Sequence, residues 1–310
     1  MVGLANVALR KDAMGLAYND VKALLEWRGS QSGGAAATLG RLTLTLHPKE
    51  ISELRRIFAN DAGAMDWLSR YRWADFADDM LRQLFRFDSV TSIDFSDYEG
   101  ASVIQNIGEP LHPDLIGKFD LAIDGGTLEH VFNFPVAIGN LMRLVNVGGA
   151  VYTQNPCNSL AGHGFYQFSP ELMYRVFSPA NGFEIQFVRV ALAHNISVEQ
   201  TSGHQVYNVT DPAKYGGRVL LSSQRPAILL SLAVKRSEVE PFSEPVLQSD
   251  YLGKWDGTAT PSLNWKGRLI ETIGRAFPFI PAMLSRYRDR RDASVRNVNA
   301  YTPVEPKPPR

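Results

Sequence analysis

Glu129 and His130 stand side by side, five and six residues after Asp124, in the run Asp124-Gly125-Gly126-Thr127-Leu128-Glu129-His130. An imidazole titrates near neutral pH, so a carboxylate-imidazole pair can accept a proton from a weak nucleophile such as a hydroxyl. The same pair can equally serve to order a loop at a helix start, and the residue types alone do not separate the two roles. Gly125 and Gly126 allow a sharp backbone turn and a close approach by a ligand. A second polar group follows in the segment from Asn155 to Pro170, which is hinged by glycines and rich in aromatics. His163, Tyr166 and Gln167 there have the chemistry to hydrogen-bond a polyol or to face a reacting group. Phe165, Tyr166 and Phe168 can instead pack beneath the next helix, and for Phe168 packing is the stronger expectation.

The elements that must hold these residues follow from periodicity. Phe119-Asp120-Leu121-Ala122-Ile123 is a short apolar run, which reads as a buried strand. The acid, glycines and threonine then sit at its carboxyl end, where open α/β sheets place their ligands. Thr38–Leu46, Val90–Phe95, Val103–Ile107, Ala150–Thr153, Phe183–Val190 and Ile228–Val234 read as the other strands, giving seven in all. Helical spacing appears in 20–27, 49–58 and 75–85, and again after Asn133, a candidate cap with Pro135 in the first turn. Gly148 is expected to end that helix. Ser169-Pro170 opens another helix, and His194 to Tyr215, containing His204, reads as an insertion before the last strand. Strands alternating with helices imply a doubly wound, mostly parallel α/β sheet.

Composition narrows the function classes. The chain has 310 residues, with 32 Lys+Arg against 32 Asp+Glu, and this zero net charge argues against general nucleic-acid binding. The single cysteine, Cys157, rules out an internal disulfide framework and is consistent with a reducing cytoplasm. No signal peptide pattern opens the chain, and no apolar run approaches the ~20 residues that span a bilayer. Residues 265–296 carry eight Lys/Arg and three Asp/Glu among regularly spaced apolar residues, a net of +5. Such a segment suits a membrane surface, here peripheral contact at the inner face, or a partner, or a helix docked on its own domain with a solvated basic face. The expected organisation is an N-terminal helical segment over 1–35, the α/β domain over 36–236, a linker over 237–264, a basic amphipathic helical segment over 265–297 and a disordered tail over 298–310.

Taken in series, these motifs resemble those of class I S-adenosylmethionine (SAM)-dependent methyltransferases. Phe119–Ile123 followed by Thr127-Leu128-Glu129-His130-Val131 is similar to the family's fourth-strand motif. Leu144-Val145-Asn146-Val147-Gly148-Gly149 and Val151–Pro156 are similar to its turn before strand five and to strand five itself. The resemblance implies a Rossmann-like methyltransferase fold, SAM as cofactor and an acceptor that receives a methyl group. It also implies a ribose-binding acid at Asp94 and an adenine contact at Asn106. Asp124, Gly125 and Thr127 would form the rim of the cofactor pocket. The family's glycine-rich turn after strand one is reduced to Thr38-Leu39-Gly40-Arg41, with Gly40 as its one glycine and Arg41 placed to reach the SAM carboxylate. No spaced-glycine fingerprint of a nicotinamide enzyme is present.

The first reading is therefore a SAM-dependent methyltransferase acting on a small or glycan-like acceptor through oxygen, with His130, Glu129 and His163 as catalytic residues and Tyr166 and Gln167 toward the acceptor. The alternative is a catalytically idle module of the same fold that binds a partner through its basic C-terminal helices. No metal is expected. Some RNA-methylating relatives use a Glu-His pair with further ligands, but Gly126 stands where they have another Glu, and the set is incomplete even with His163.

Overall fold

The computed structural model describes residues 15–29, 31–193, 205–251 and 293–305. Its centre is a nine-stranded sheet in the order β11-β9-β8-β10-β7-β6-β2-β4-β5. These strands are β2 (Ala35–Leu39), β4 (Ser89–Asp94), β5 (Val103–Ile104), β6 (Phe119–Asp124), β7 (Val145–Asn158), β8 (Phe183–Leu192), β9 (Gln205–Val209), β10 (Ala227–Lys235) and β11 (Tyr301–Pro303). A separate two-stranded parallel sheet pairs β1 (Gly15–Ala17) with β3 (Thr43–Thr45). The chain runs outward from β2 to β4 and β5, then returns to place β6 on the other side of β2. That reversal is a topological switch point at the carboxyl ends of β2, β4 and β6, the place where open α/β sheets form a ligand crevice.

Alternation along the strands builds two cores. Ala37, Leu39, Ala122 and Val151 face one side with Ile138, Leu141 and Met142 from the helix Phe134–Leu144. Ala36, Leu121, Ile123 and Tyr152 face the other with Leu24, Leu54, Leu68 and Met80, which come from four helices. The N-terminal helix, Tyr18–Arg28, is thus a wall of the domain. Its Asp20 is buried and accepts from the Tyr152 hydroxyl at 2.6 Å and from the Ala17 amide at 2.7 Å. Burial pushes the Asp20 carboxyl up to about 6, and those hydrogen bonds oppose the shift.

Several expectations require correction. The sheet is mixed: β5, β4, β2, β6 and β7 run parallel, whereas β10 is antiparallel to both β7 and β8. The first strand is Ala35–Leu39, not Thr38–Leu46. Three alanines carry little strand propensity, but this position lies between two neighbours and is covered on both faces, and context overrides propensity. The chain breaks at Gly40, whose φ is +73°, and the alternating leucines Leu42, Leu44 and Leu46 belong to the small second sheet and its surroundings. Gly148 does not stop the preceding helix. That helix ends at Leu144, and Gly148, with φ +93°, lies in the register shift where β7 joins β6. Asn133 makes no cap bond; its amide donates to the Gly108 carbonyl at 2.8 Å.

The helix Ala62–Arg70 was not foreseen. The insertion before the last strand supplies β9 and a short helix, Pro212–Tyr215, while His194 and His204 lie outside the described residues. The tail expected to be disordered from 298 contributes β11, which pairs with β9 and buries Tyr301. The described part of the linker, 237–251, is docked: the Phe242 amide donates to Asn181, and Ser249 donates to Glu171 through both its amide and its hydroxyl. Most of the basic segment, 265–292, lies outside the described residues. Among the described residues no helix is long and apolar enough to cross a membrane.

Tyr152→Phe removes one of the donors to a buried carboxylate without opening a large cavity. It is expected to cost about 1–3 kcal/mol in urea unfolding. Tyr98→Phe, at a residue 81% exposed, is expected to leave the midpoint unchanged.

Candidate functional site

Register brings the candidate residues to one edge of the sheet. Leu39 pairs with Ile93 on one side and with Asp124 on the other, and Asp124 pairs with Thr153. Asp94, Gly40 and Asp124 therefore end adjacent strands on the same side of the crevice. Gly40 turns there with its amide donating to the Ile93 carbonyl at 2.7 Å. A residue with a Cβ would be strained at its positive φ.

Asp124 is fully buried and organises the turn that follows β6. Its Oδ1 accepts from the amides of Thr127 at 2.8 Å and Leu128 at 3.2 Å. Its Oδ2 accepts from Asn155 Nδ2 at 2.6 Å. The same Asn155 nitrogen donates to Glu129 Oε2 at 3.0 Å, so one amide bridges two buried carboxylates. Burial, and then the nearby Glu129 charge, push the Asp124 carboxyl up to about 7. Thr127 Oγ1 donates to the Leu39 carbonyl at 2.9 Å and ties the turn to the end of β2. Gly125 faces Leu42 closely enough that an added Cβ would meet its methyl carbons at 2.9 Å.

Across the turn lies the loop that follows β7. The amides of Phe165 and Tyr166 donate to the Glu129 carbonyl at 2.9 and 3.3 Å. An added Cβ at Gly164 would lie 2.9 Å from that carbonyl oxygen, so the contact depends on glycine. This docking sets His163 Nε2 3.5 Å from Glu129 Oε1, and the carboxylate holds the His163 pKa above its usual value. The His130 and His163 rings are 5.2 Å apart. Glu129, His130 and His163 each offer a ligand atom within 4.8 Å of the others. Sequence reading took this set as incomplete and expected no metal; the fold brings the third residue to the first two.

The structure assigns other tasks to several residues expected at the site. Arg41 is tied up structurally: Nε donates to Asp78 at 2.9 Å, Nη1 donates to the Glu99 carbonyl at 3.0 Å, and its guanidinium stacks over Phe76. Asp124, Gly125 and Thr127 shape the rim from within it. Asn106 Oδ1 accepts from the Gly108 amide at 3.0 Å, so the oxygen expected to meet adenine is engaged in a turn. Tyr166 donates to the Phe132 carbonyl at 2.7 Å and stacks on Phe168, and Gln167 Oε1 accepts from the Leu160 amide at 2.9 Å. Both order the loop. Sequence reasoning missed Asn155 as the bridge between the two acids. Its only signal was its place at the end of strand five.

The residues present suit the nucleoside half of SAM better than its amino-acid end. Asp94 is half-buried, and Oδ1 accepts from the Phe95 amide at 2.6 Å, which leaves the second oxygen for a ribose hydroxyl. The cation expected opposite the SAM carboxylate, Arg41, is committed elsewhere.

The sequence matches no family model, and no curated protein matches it. Several solved structures are distantly similar to the chain. One is the Burkholderia thailandensis 1,6-didemethyltoxoflavin-N1-methyltransferase, at 12% identity and TM-score 0.37 over 71% of this chain and 78% of that one. Another is the Haemonchus contortus phosphoethanolamine N-methyltransferase 2, at 11% identity and TM-score 0.40 over 71% and 53%. A third, the branched-chain polyamine synthase of Thermus thermophilus, matches at 14% identity and TM-score 0.33 over 74% and 59%.

Asp124 binds its proton more tightly when folded, so its contribution to stability is complete below its ordinary carboxylate range and is lost as pH rises through about 7. Asp124→Asn is expected to flatten that decline when unfolding free energy of chelator-treated protein is measured from pH 4 to 8. An unchanged slope would place the titration elsewhere.

The third, second, first, fourth, fifth, seventh and sixth expected strands lie side by side with the seventh reversed, and the chain has a Rossmann-like, doubly wound α/β fold.

Proposed function

We propose that the chain is a SAM-dependent methyltransferase that methylates a hydroxyl oxygen on a small-molecule or glycan-like acceptor. One observation carries this reading: Asp94, Gly40 and the Asp124–Thr127 turn share the crevice edge at the switch point, and the Glu129–His163 pair stands on the loops beside it. Asp94 would hold the ribose hydroxyls, and the Gly40 turn would let the cofactor approach the backbone. When bound, SAM supplies an electrophilic methyl group on a sulfonium.

The rest is alignment and proton handling, and alignment supplies most of the acceleration in such a displacement. His130 was the base expected from sequence. The geometry favours His163 for that task, because Glu129 faces its Nε2 and leaves Nδ1 to take the acceptor's proton. His130 then lines the same small space. Phe132 and Phe165, both largely exposed and 5.9 Å apart in an edge-to-face contact, offer an apolar wall beside it. A sugar or an aromatic ring would pack on such a wall.

The commitment of Arg41 to Asp78 favours a second reading, an idle module of this fold that binds partners instead. Isothermal titration with SAM and with S-adenosylhomocysteine separates the two. The enzyme reading expects micromolar binding, weakened at least about tenfold in Asp94→Ala. A folded protein that gives no heat with either ligand would reject it. With an acceptor in hand, His163→Ala is expected to lower kcat by about 10²–10⁴ and His130→Ala by less.

A further inference from the structure

We infer that Glu129, His130 and His163 form a binding site for one first-row divalent cation at the acceptor side of the crevice. Each of the three offers a ligand atom within 4.8 Å of the other two. They come from two segments about thirty residues apart in sequence, held together by backbone bonds from Phe165 and Tyr166 to the Glu129 carbonyl. Gly164 lets the loop come this close. An added Cβ there would lie 3.2 Å from His130 Nδ1 as well as 2.9 Å from the Glu129 carbonyl oxygen.

Two imidazoles and one carboxylate suit zinc, iron(II) or manganese(II), and three protein ligands leave coordination positions open. The supporting residues are of the kind a metal ligand needs. Glu129 is buried, with one oxygen fixed by Asn155 and the other turned toward His163. Asn155 is held in turn by Asp124. Such outer partners orient a ligand and raise its affinity. Bonds of ~2.1 Å in a tetrahedral ion set ligand atoms roughly 3.4 Å apart, so the three must close by about 1 Å. His130 and His163 are both exposed, and rotation of their side chains supplies that movement. Glu129 is a buried carboxylate facing His163, and a dication held there offsets its charge.

With an ion in place, an acceptor hydroxyl at an open position would lose its proton to solvent more readily, and His163 would act as ligand instead of base. The site itself does not depend on the SAM reading.

The test uses the untagged full-length chain after chelator treatment. Cobalt(II), zinc(II) and manganese(II) are titrated separately by calorimetry, and cobalt also by its visible absorption. One equivalent is expected, with His130→Ala and His163→Ala each weakening binding by at least about tenfold while circular dichroism stays unchanged. Glu129→Gln is expected to abolish the cobalt spectrum. Absence of binding to the wild type would overturn the site, and so would equal binding by wild type and both histidine variants. SAM titration of the same samples is read independently: metal binding without SAM binding keeps this site and removes the cofactor reading, and the reverse result removes the site alone.

Discussion

The carboxylate of Asp124 is the constraint on which the site depends. It has no exposed surface, and a buried acid must find donors or stay protonated. It finds them in the two amides of the following turn and in Asn155 on the neighbouring strand. Those bonds fold the chain back over the end of β6, and Thr127 fastens the fold-back to β2. Glu129 is thereby carried inward beneath the rim, where Asn155 takes hold of it too. The acidic centre is an arrangement of two strands and one turn, and Asp124 is common to all of it.

Much of the architecture is legible in local pattern. Phe119–Asp124 shows itself by an apolar run ending in an acid and glycines, and Ala227–Lys235 by nearly unbroken apolarity matching burial along its whole length. Ala35–Leu39 hides because alanine speaks weakly for any element, and its strand identity comes from Ile93 and Asp124 on either side. The pairing of Glu129 with His163 is invisible in spacing, since it depends on how the loop after β7 folds back. Arg41 misled for a related reason. A cation beside a glycine turn suggests an anionic ligand, but Asp78, on a helix over thirty residues away, claims it first. Tyr166 and Gln167 have side chains suited to a polyol, yet the Tyr166 hydroxyl and the Gln167 amide oxygen are spent on ordering the loop they belong to.

The two halves of the sheet divide the labour. The parallel half gathers strand ends at one edge, and every candidate residue described here sits there or on the loops beyond. The antiparallel half supplies mass. β10 is buried along all nine residues between β7 and β8, and through β7 it braces the strand that carries Asn155. Lys235, at its end, is buried with its ammonium donating to the Val145 carbonyl and paired with Glu238.

A broad open sheet has a hazard at each margin, where unpaired amides and carbonyls can recruit a strand from another molecule. Among the described residues both margins are blunt. β5 has two residues, and β11 has three, of which Pro303 has no amide hydrogen to offer. The short β11 therefore works as a hem: it covers the five-residue edge of β9 with a strand too brief to template the next. Trimming the chain back to residue 298 would bare that edge, so self-association, not lost activity, is the first penalty to look for in a shortened form.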